Sequence, residues 1–435
     1  NGFVLERYTE SLGFVNDRKF EVGSKQTVLK VFLVDTLVYW ISATKIKRSS
    51  VKVNLFSIAA TLIGDVQIRE IGTFQTGDIE MDQFEVVNSP DKRHWAILSF
   101  GVAGQRIREM LGTEVWQLTA GVHDNEVQST FVLVSDRWSP SDLVWKSVVM
   151  NDSGKVFAIF EDRDYAGTGF LGSRKQMNHF HWIRSNGDSL KLGEFVIEGM
   201  VLDALAILHT QTQAVQIFGY YNIGKGLGID GYFVGGYWNQ DQFTWHQFPF
   251  SESSARQFTG LGSLKRNERP ENYYIRNVVP LSHGGWLMLS EQFYESRQME
   301  TYYVNGVPQT SSKLFYHYGD IALQYLKKEG SLDSLIMVRK TQVGALNVSH
   351  LFGFGMYVCG NSVNLLYNDD EGEINRIMHV KVDKTYKLER DWLFRNENTP
   401  GTIVPYEGKQ TDYGLITLPI YRDKQWFWLQ VFSND

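Results

Sequence analysis

The chain has 435 residues and a formal net charge of −6, with charges of both signs spread along it. This pattern argues against a basic nucleic-acid-binding face, and no apolar run is long enough for a transmembrane helix. Aromatic residues make up 14% of the chain, while Pro numbers only 9 and Gly 39. We interpret this composition as that of a well-packed β protein with glycine in its turns.

The single cysteine and the first residue bear on the cellular compartment. Cys359 lies in an apolar, strand-like run and has no second cysteine to pair with, so we interpret it as a small buried side chain. The sequence begins with Asn1 rather than Met, which suggests a mature chain whose leader has been removed or is left out of the given sequence. We therefore expect an exported protein.

Taken in order, the first half of the chain consists of runs rich in β-branched and aromatic residues. After one such run at residues 2 to 8, the runs come in groups of four separated by turn residues, which is the pattern of antiparallel meanders. The four groups lie within residues 26–73, 80–134, 142–197 and 200–248.

The second half begins with a break in this pattern. Residues 251–271 are polar and carry Gly and Pro, so we predict a long loop that contacts a partner or caps the domain. The clearest meander follows, from Asn272 to Gln342, with a long polar tip at Glu295 to Ser312. Two further groups lie within 346–394 and 401–432, and the last has only three good strands.

Meanders of this kind cannot bury their own faces, so they must stack on one another. A β-propeller is the fold in which such meanders stack in a closed ring. We predict an all-β fold in which residues 1–435 form a single β-propeller domain, with seven blades of four antiparallel strands and six or eight blades as alternatives. Because the last group lacks a fourth strand, we expect residues 2 to 8 to pair with it and close the ring.

Several stretches of the sequence resemble a family of uncharacterised exported proteins of Bacteroidota. The resemblance is most specific from Gly285 to Gln342, where Ser290-Glu291-Gln292-Phe293-Tyr294 precedes a variable tip and Tyr316-His317-Tyr318-Gly319-Asp320-Ile321 follows it. It implies a propeller-like protein of the cell envelope, in the periplasm or at the cell surface. It carries over no catalytic residues.

The sequence offers few candidates for a catalytic, metal-binding or phosphate-binding site. His179 and His181 alternate on a predicted strand and would point to one face, but no third ligand with a recognisable spacing accompanies them. The glycine-rich stretch at 222–228 is followed by another strand rather than a helix, which argues against a phosphate-binding loop. No Gly-x-Ser-x-Gly elbow occurs. We predict no bound metal or cofactor and no catalytic constellation.

The aromatic residues at strand ends and loop tips are the better functional signal, because exposed aromatic side chains serve as binding anchors. We expect a non-enzymatic protein that binds an envelope protein or a surface glycan through long loops on one face. The alternative is a polysaccharide hydrolase or lyase with carboxylates and His at the propeller channel. The candidate binding residues are Trp238, Trp245, Tyr302, Tyr303, Tyr316 and Tyr318.

Overall fold

The computed structural model describes most of the chain. The described residues are 2–9, 12–47, 50–75, 84–102, 113–122, 127–135, 142–163, 178–186, 189–209, 212–224, 228–239, 242–261, 268–282, 284–304, 307–369, 376–393, 401–412, 414–422 and 425–432.

Strands dominate the described residues and form eight sheets, of which six are four-stranded, one is five-stranded and one is two-stranded. The hydrogen-bonded neighbours within a sheet are mostly successive in the sequence, which is the meander of a β-propeller blade. The predicted all-β, propeller-type fold is therefore confirmed. The number of blades and the closure of a ring remain predictions.

The chain divides into two compact units. The first contains residues 1–223 and 233–247, and the second contains residues 224–232 and 248–435. The expectation of one propeller domain over the whole chain stays a prediction.

In the first unit, the strands lie close to the predicted runs, except that the strand at Phe14–Glu21 was not predicted. The bounds, sheet by sheet, are β1 Gly2–Tyr8 and β2 Phe14–Glu21; β3 Gln26–Val34, β4 Leu37–Lys47, β5 Ser50–Ala59 and β6 Gln67–Gln75; β7 Glu85–Asn88, β8 His94–Val102, β9 Thr113–Gly121 and β10 Val127–Ser135; β11 Leu143–Met150, β12 Val156–Arg163, β13 Asn178–Asn186 and β14 Ser189–Glu194; β15 Met200–Leu208, β16 Val215–Asn222, β17 Gly231–Asn239 and β18 Gln242–Pro249.

The second unit continues the pattern after one short helix. Its elements are α1 Glu252–Thr259; β19 Tyr273–Pro280, β20 Trp286–Val304, β21 Val307–Leu326, β22 Leu332–Val338 and β23 Gln342–Ala345; β24 Gly355–Cys359, β25 Ser362–Asp369, β26 Arg376–Val382 and β27 Leu388–Trp392; β28 Thr402–Ile403, β29 Lys409–Asp412, β30 Leu415–Arg422 and β31 Gln425–Phe432. Two 3₁₀ turns lie at Leu346–Leu351 and Pro405–Glu407.

Inner strands are buried on both faces because the sheets stack. Along β8, Trp95 and Ile97 enter one apolar core with side chains of β3 to β6, whereas Ala96 and Leu98 enter the next core with side chains of β11 and β12. Successive residues of a strand point to opposite faces, so each sheet contributes to two cores. This packing explains the near-continuous apolar runs in the sequence.

The structure differs from the sequence prediction at three segments that end or connect these groups. Residues 346–351 form a 3₁₀ turn and not a strand. The predicted loop at 251–271 begins with the helix α1, which Ser251 caps by accepting a hydrogen bond from Ser254 N at 3.1 Å. Residues 2 to 8 pair with β2 in a sheet of their own, so the predicted closing role of this strand is not confirmed.

The last sheet is three strands wide. Both β28 and β29 pair with the same edge of β30, and β31 pairs with the other edge along its whole length. Three strands were expected in this group; the structure has four, which fill three positions side by side.

The helix α1 is short, and its buried side chains are Ala255 and Phe258. No helix in the described ranges combines the length and the apolar character needed to cross a bilayer. The helix ends at Gly260, whose φ of 70° is left-handed and whose N–H donates to Arg256 O at 2.9 Å. It therefore has a side-chain cap at its first turn and a glycine cap at its last.

Replacement of Ser251 by Ala removes the side-chain acceptor for the first turn of α1. We expect the free energy of unfolding to fall by about 1 kcal/mol, as is usual for an N-cap. Urea denaturation monitored by circular dichroism measures this change. The Ser251→Asp variant retains an acceptor and should stay close to the parent protein, and an equal loss in both variants would contradict the capping role.

Candidate functional site

The meander of the second unit carries a long two-stranded ribbon. Strands β20 and β21 remain paired from Trp286 opposite Leu326 out to Val304 opposite Val307. The neighbouring strands pair only with the lower part, since β19 reaches Gln292 and β23 reaches Phe315. The segments Glu295–Val304 and Val307–Leu314, which we call the ribbon, form the outer part of this hairpin. Its residues from Arg297 onward extend beyond the sheet, by about 26 Å at 3.3 Å per residue.

The ribbon exposes large side chains on both faces. Opposite residues of an antiparallel pair share a face, so Met299 and Tyr303 lie on one face and Tyr302 on the other. Their exposed fractions are 67% for Met299, 73% for Tyr303 and 47% for Tyr302. Large apolar side chains this exposed on a projecting ribbon contribute nothing to a core, in contrast to the alternating aromatics of the blades.

Where the ribbon leaves the sheet, the ladder is irregular. Glu291 lies opposite Ile321, but Phe293 lies opposite Tyr318, so β21 carries one extra residue at this point. A bulge bends its strand and increases the local twist, and so sets the direction in which the following segment runs. We call this region the base of the ribbon.

The base contains a buried carboxylate. Glu291 has no exposed surface. Its Oε2 accepts hydrogen bonds from Arg276 Nε at 3.2 Å and from the Tyr406 hydroxyl, and its Oε1 lies 2.8 Å from Lys340 Nζ. These partners come from β19, from the segment between β22 and β23, and from the 3₁₀ turn at 405–407. One carboxylate thus joins four separate segments.

Lys340 is as deeply buried as its partner, with 1% of its side chain exposed. Its ammonium also donates to Gln342 Oε1 at 2.7 Å, and Gln342 Nε2 in turn donates to Asn368 O at 2.6 Å. Burial lowers the pKa of Lys340, while the Glu291 carboxylate acts in the opposite direction. The network extends from β20 through β23 to β25.

Tyr406 is fixed from two sides. Although 42% of Tyr406 is exposed, burial of its hydroxyl, together with the Glu291 carboxylate, holds the pKa of that hydroxyl far above the ordinary value, so the group stays a hydrogen-bond donor. Gly353, with a left-handed φ of 84°, packs so closely on the ring that an added Cβ would come within 2.2 Å of it. Only glycine fits at this position.

Aromatic rings surround the guanidinium of Arg276. Its Cζ lies 5.5 Å from the ring centre of Tyr406 and 5.9 Å from those of Tyr274 and Phe293. Phe293 contacts the Tyr318 ring at 4.9 Å and stacks on the Tyr316 ring at 6.1 Å. A cation over aromatic faces is favourable, more so when it is shielded from water. The rings continue from the base onto the face that carries Tyr303.

The helix α1 is also tied to the base. Arg339 donates to the carbonyls of Phe258 at 3.0 Å and Gln257 at 2.6 Å, at the C-terminal end of the helix. The same guanidinium pairs with Asp320 in the bulge of β21. The predicted partner-contacting loop at 251–271 therefore begins with a helix that is hydrogen-bonded to the base of the ribbon.

A second cluster of ionisable side chains lies in the first unit. Lys146 Nζ is 2.8 Å from Glu161 Oε2 and 4.0 Å from Asp203 Oδ1. Beside them, His181 Nε2 is 3.4 Å from Asp162 Oδ2. Four of these five side chains are buried, and only that of Lys146 is partly exposed.

The two histidines of the predicted pair lie in different environments. His181 is buried and contacts Asp162, whereas His179 is exposed and its backbone N–H donates to Asp162 Oδ1 at 3.0 Å. No group of three or more His, Cys, Asp or Glu side chains suited to a metal ion occurs in the part of the chain that the structure describes.

Four of the six predicted binding residues lie on one hairpin. Tyr302 and Tyr303 are exposed near the tip, and Tyr316 and Tyr318 are half-buried at the base. Trp245 lies elsewhere, on β18, where it is half-buried and its ring contacts that of Phe243 at 5.1 Å. Trp238 lies on β17, and its side chain is outside the described residues.

Sequence reasoning missed the residues that fix the base. Arg276, Glu291, Lys340 and Tyr406 are up to 130 positions apart, and their meeting depends on the stacking of sheets. The only available signal was the charged Glu291 in the apolar strand that starts at Trp286, because a carboxylate in a buried strand requires partners.

Comparison with known proteins gives distant structural likenesses only. No protein-family model and no curated protein matches the sequence. Among solved structures, the chain is similar to an apocarotenoid oxygenase of Synechocystis at 7% identity, with 78% of this chain and 70% of that chain covered and a TM-score of 0.34. It is similar to the β-propeller domain of the Trilobed protease of Pyrococcus furiosus at 10% identity, with 87% and 100% covered and a TM-score of 0.32.

A third similar structure is a polysaccharide lyase of family PL25, an ulvan lyase, at 11% identity, with 93% of this chain and 79% of that chain covered and a TM-score of 0.32. Likenesses of this size assign neither an activity nor a substrate to this chain.

Replacement of Glu291 by Gln leaves Arg276 and Lys340 without their buried counter-charge. We expect the free energy of unfolding to fall by about 3 to 5 kcal/mol, the usual cost of breaking a buried ion pair. Chemical denaturation measures it. The matched control is Glu295→Gln, an exposed position on the same strand, which should change stability by less than about 0.5 kcal/mol.

The double variant Glu291→Leu with Lys340→Met tests the pairing itself. Because both charges are then removed, we expect it to be more stable than Glu291→Leu alone. If the two substitutions changed the free energy of unfolding additively, Lys340 would not be the charge partner of Glu291.

Proposed function

We propose that the protein is a non-enzymatic binding protein that holds a protein partner on the ribbon. The observation that carries this proposal is a rigidly anchored two-stranded ribbon whose aromatic and methionine side chains are exposed. Tyr and Met are enriched at protein interfaces, because they bury a large area and adapt to a partner's surface.

The anchoring at the base supports this function in energetic terms. A binding surface that is already ordered loses little conformational entropy when a partner docks, and more of the contact energy appears as affinity. Glu291 and its partners fix the bulge from which the ribbon rises. The base from which the ribbon rises is thereby fixed before any partner arrives.

Two features of the ribbon suit a protein partner. Its outer edges have no strand partner among the described residues beyond Gln292 on β20 and Phe315 on β21, so a partner strand can add to either edge. Its ionic groups include the pair of Lys313 and Glu300 at 2.7 Å, and Tyr302 and Tyr303 add exposed aromatic surface for recognition.

The location of the partner is part of the proposal. The resemblance of residues 285–342 to exported proteins of Bacteroidota supports a partner in the cell envelope, in the periplasm or at the cell surface. A surface glycan is the other candidate ligand, because Tyr316 and Phe293 offer stacked rings at the base of the same face.

The test uses a photo-reactive amino acid in place of Tyr303 and, as the matched control, in place of Phe131, which is 57% exposed on a different sheet. We expect a protein cross-linked from position 303 and not from position 131. The cross-linked protein is then purified, and its affinity for the parent chain is measured by calorimetry. Cross-linking that does not differ between the two positions would contradict the proposal.

With that purified partner, Tyr303→Ala is expected to weaken binding by at least about tenfold, since central interface tyrosines typically contribute about 2 kcal/mol or more. Phe131→Ala should leave the affinity unchanged. Unchanged affinity in Tyr303→Ala and Tyr302→Ala, or binding on a glycan array alone, would overturn the protein-partner proposal.

A second candidate function is cleavage of a polysaccharide, by hydrolysis or by a lyase reaction. The cluster of Lys146, Glu161 and Asp203 in the first unit favours it. Glu161 and Asp203 each have an oxygen near Lys146 Nζ, so these oxygens are at most about 7 Å apart, an upper bound compatible with the roughly 5 to 9.5 Å that separates the two carboxylates of glycoside hydrolases. Release of reducing ends or unsaturated products from a polysaccharide panel tests this function. Activity that is lost in Glu161→Gln would establish it, and a panel that stays intact with the parent protein would count against it.

A further inference from the structure

A serine and a histidine meet at the base of the ribbon. Ser296 Oγ lies 2.7 Å from His317 Nε2. Ser296 follows Tyr294 by two positions on β20, and His317 lies opposite Tyr294 on β21, so the three side chains share one face of the hairpin. Ser296 and His317 are both half-buried, so part of each side chain faces solvent.

This contact has the geometry of a nucleophile beside its general base. A serine hydroxyl is a weak nucleophile until a neighbouring base takes its proton, and such pairs lie about 2.6 to 3.2 Å apart. In the histidine tautomer with its proton on Nδ1, Nε2 accepts the hydrogen of the Ser296 hydroxyl. The same nitrogen then takes up that proton when the oxygen attacks an electrophile.

The imidazole of His317 is oriented by a neighbouring ring. The rings of Tyr294 and His317 stack with their centres 4.3 Å apart and their planes 7° from parallel. On the other side of β21, Val343 of β23 lies opposite His317. A reactive pair requires a third group that orients the base, and the stacked tyrosine supplies that group here.

Apolar surface flanks the pair. Tyr294 is 42% exposed and Val343 is 47% exposed, one on each side of His317 and on the same face. Burial of apolar surface against these two side chains favours a substrate with an apolar chain. The surroundings therefore suit an acyl group better than a charged one.

We propose that Ser296 is a reactive nucleophile that accepts an acyl group from an activated ester. Its Oγ attacks the carbonyl carbon of the ester, while the hydroxyl proton passes to His317 Nε2. The bond from that carbon to the leaving alcohol oxygen then breaks, and the leaving oxygen takes the proton from His317. The products are an O-acylserine and a free alcohol, and the step needs no oxidant, reductant or cofactor.

The test treats the full chain with an alkyl fluorophosphonate, a probe for serines that a neighbouring base activates. Ser296 Oγ bonds to phosphorus, fluoride leaves, and the hydroxyl proton passes to His317. We expect mass spectrometry to locate the label on Ser296. Ser312, an exposed serine on the same ribbon, is the internal control and should stay unlabelled.

Two substitutions test the pair itself. His317→Gln retains a hydrogen-bonding side chain that does not take up the proton, so we expect the labelling rate to fall at least about a hundredfold. Ser296→Ala should lose the label, whereas Ser312→Ala should react like the parent protein. Circular dichroism confirms that each variant is folded.

Two further substitutions test the stacked ring. Tyr294→Phe retains the stack and should react like the parent protein. Tyr294→Ala removes it, and we expect labelling at least about tenfold slower, because a misplaced base is costly.

Three results would overturn the proposal. They are the absence of label on Ser296, equal labelling of Ser296 and Ser312, and an unchanged rate in His317→Gln. Partner binding is measured separately with the substitutions at Tyr302 and Tyr303, so failure of one proposal leaves the other standing.

Discussion

The buried carboxylate of Glu291 is the interaction on which the architecture of the second unit depends. A carboxylate without exposed surface is tolerated only where cations and hydrogen-bond donors compensate for its lost hydration, and here a guanidinium, an ammonium and a phenol do so. Because these groups belong to separate segments of the chain, their pairing with one side chain fixes the mutual position of β19, β20, the residues before β23 and the turn at Tyr406. The bulge from which the ribbon rises lies at the centre of this arrangement.

Much of the fold could be predicted from the sequence because it depends on local signals. Runs of β-branched and aromatic residues with turn residues between them gave strands such as β3 to β6 close to their observed bounds. The contacts of the site could not be predicted in this way. Lys340 and Glu291 meet only after sheets have stacked, and no spacing in the sequence encodes that meeting. The helix α1 was missed because it is two turns long in a polar stretch, where propensity gives a weak signal.

The candidate site was predicted in part for the same reason. The exposed tip residues Tyr302 and Tyr303 were recognisable as aromatic side chains in a polar hairpin with no core to fill. The role of Tyr318 was less readable, since on a strand a ring that packs within the base and a ring that offers a binding surface look alike. In the structure its ring contacts Phe293, Phe352 and Tyr406, and it belongs to the support of the ribbon.

We propose that the ribbon is the surface on which a partner docks. The most direct measurement is hydrogen exchange on the chain with and without its purified partner. We expect the amides of Glu295–Val304 and Val307–Leu314 to gain protection on binding, while those of strands in the first unit, such as β10, do not change. Protection that appears only around Lys146 and Glu161, with an unchanged ribbon, would contradict it and would direct attention to the second cluster.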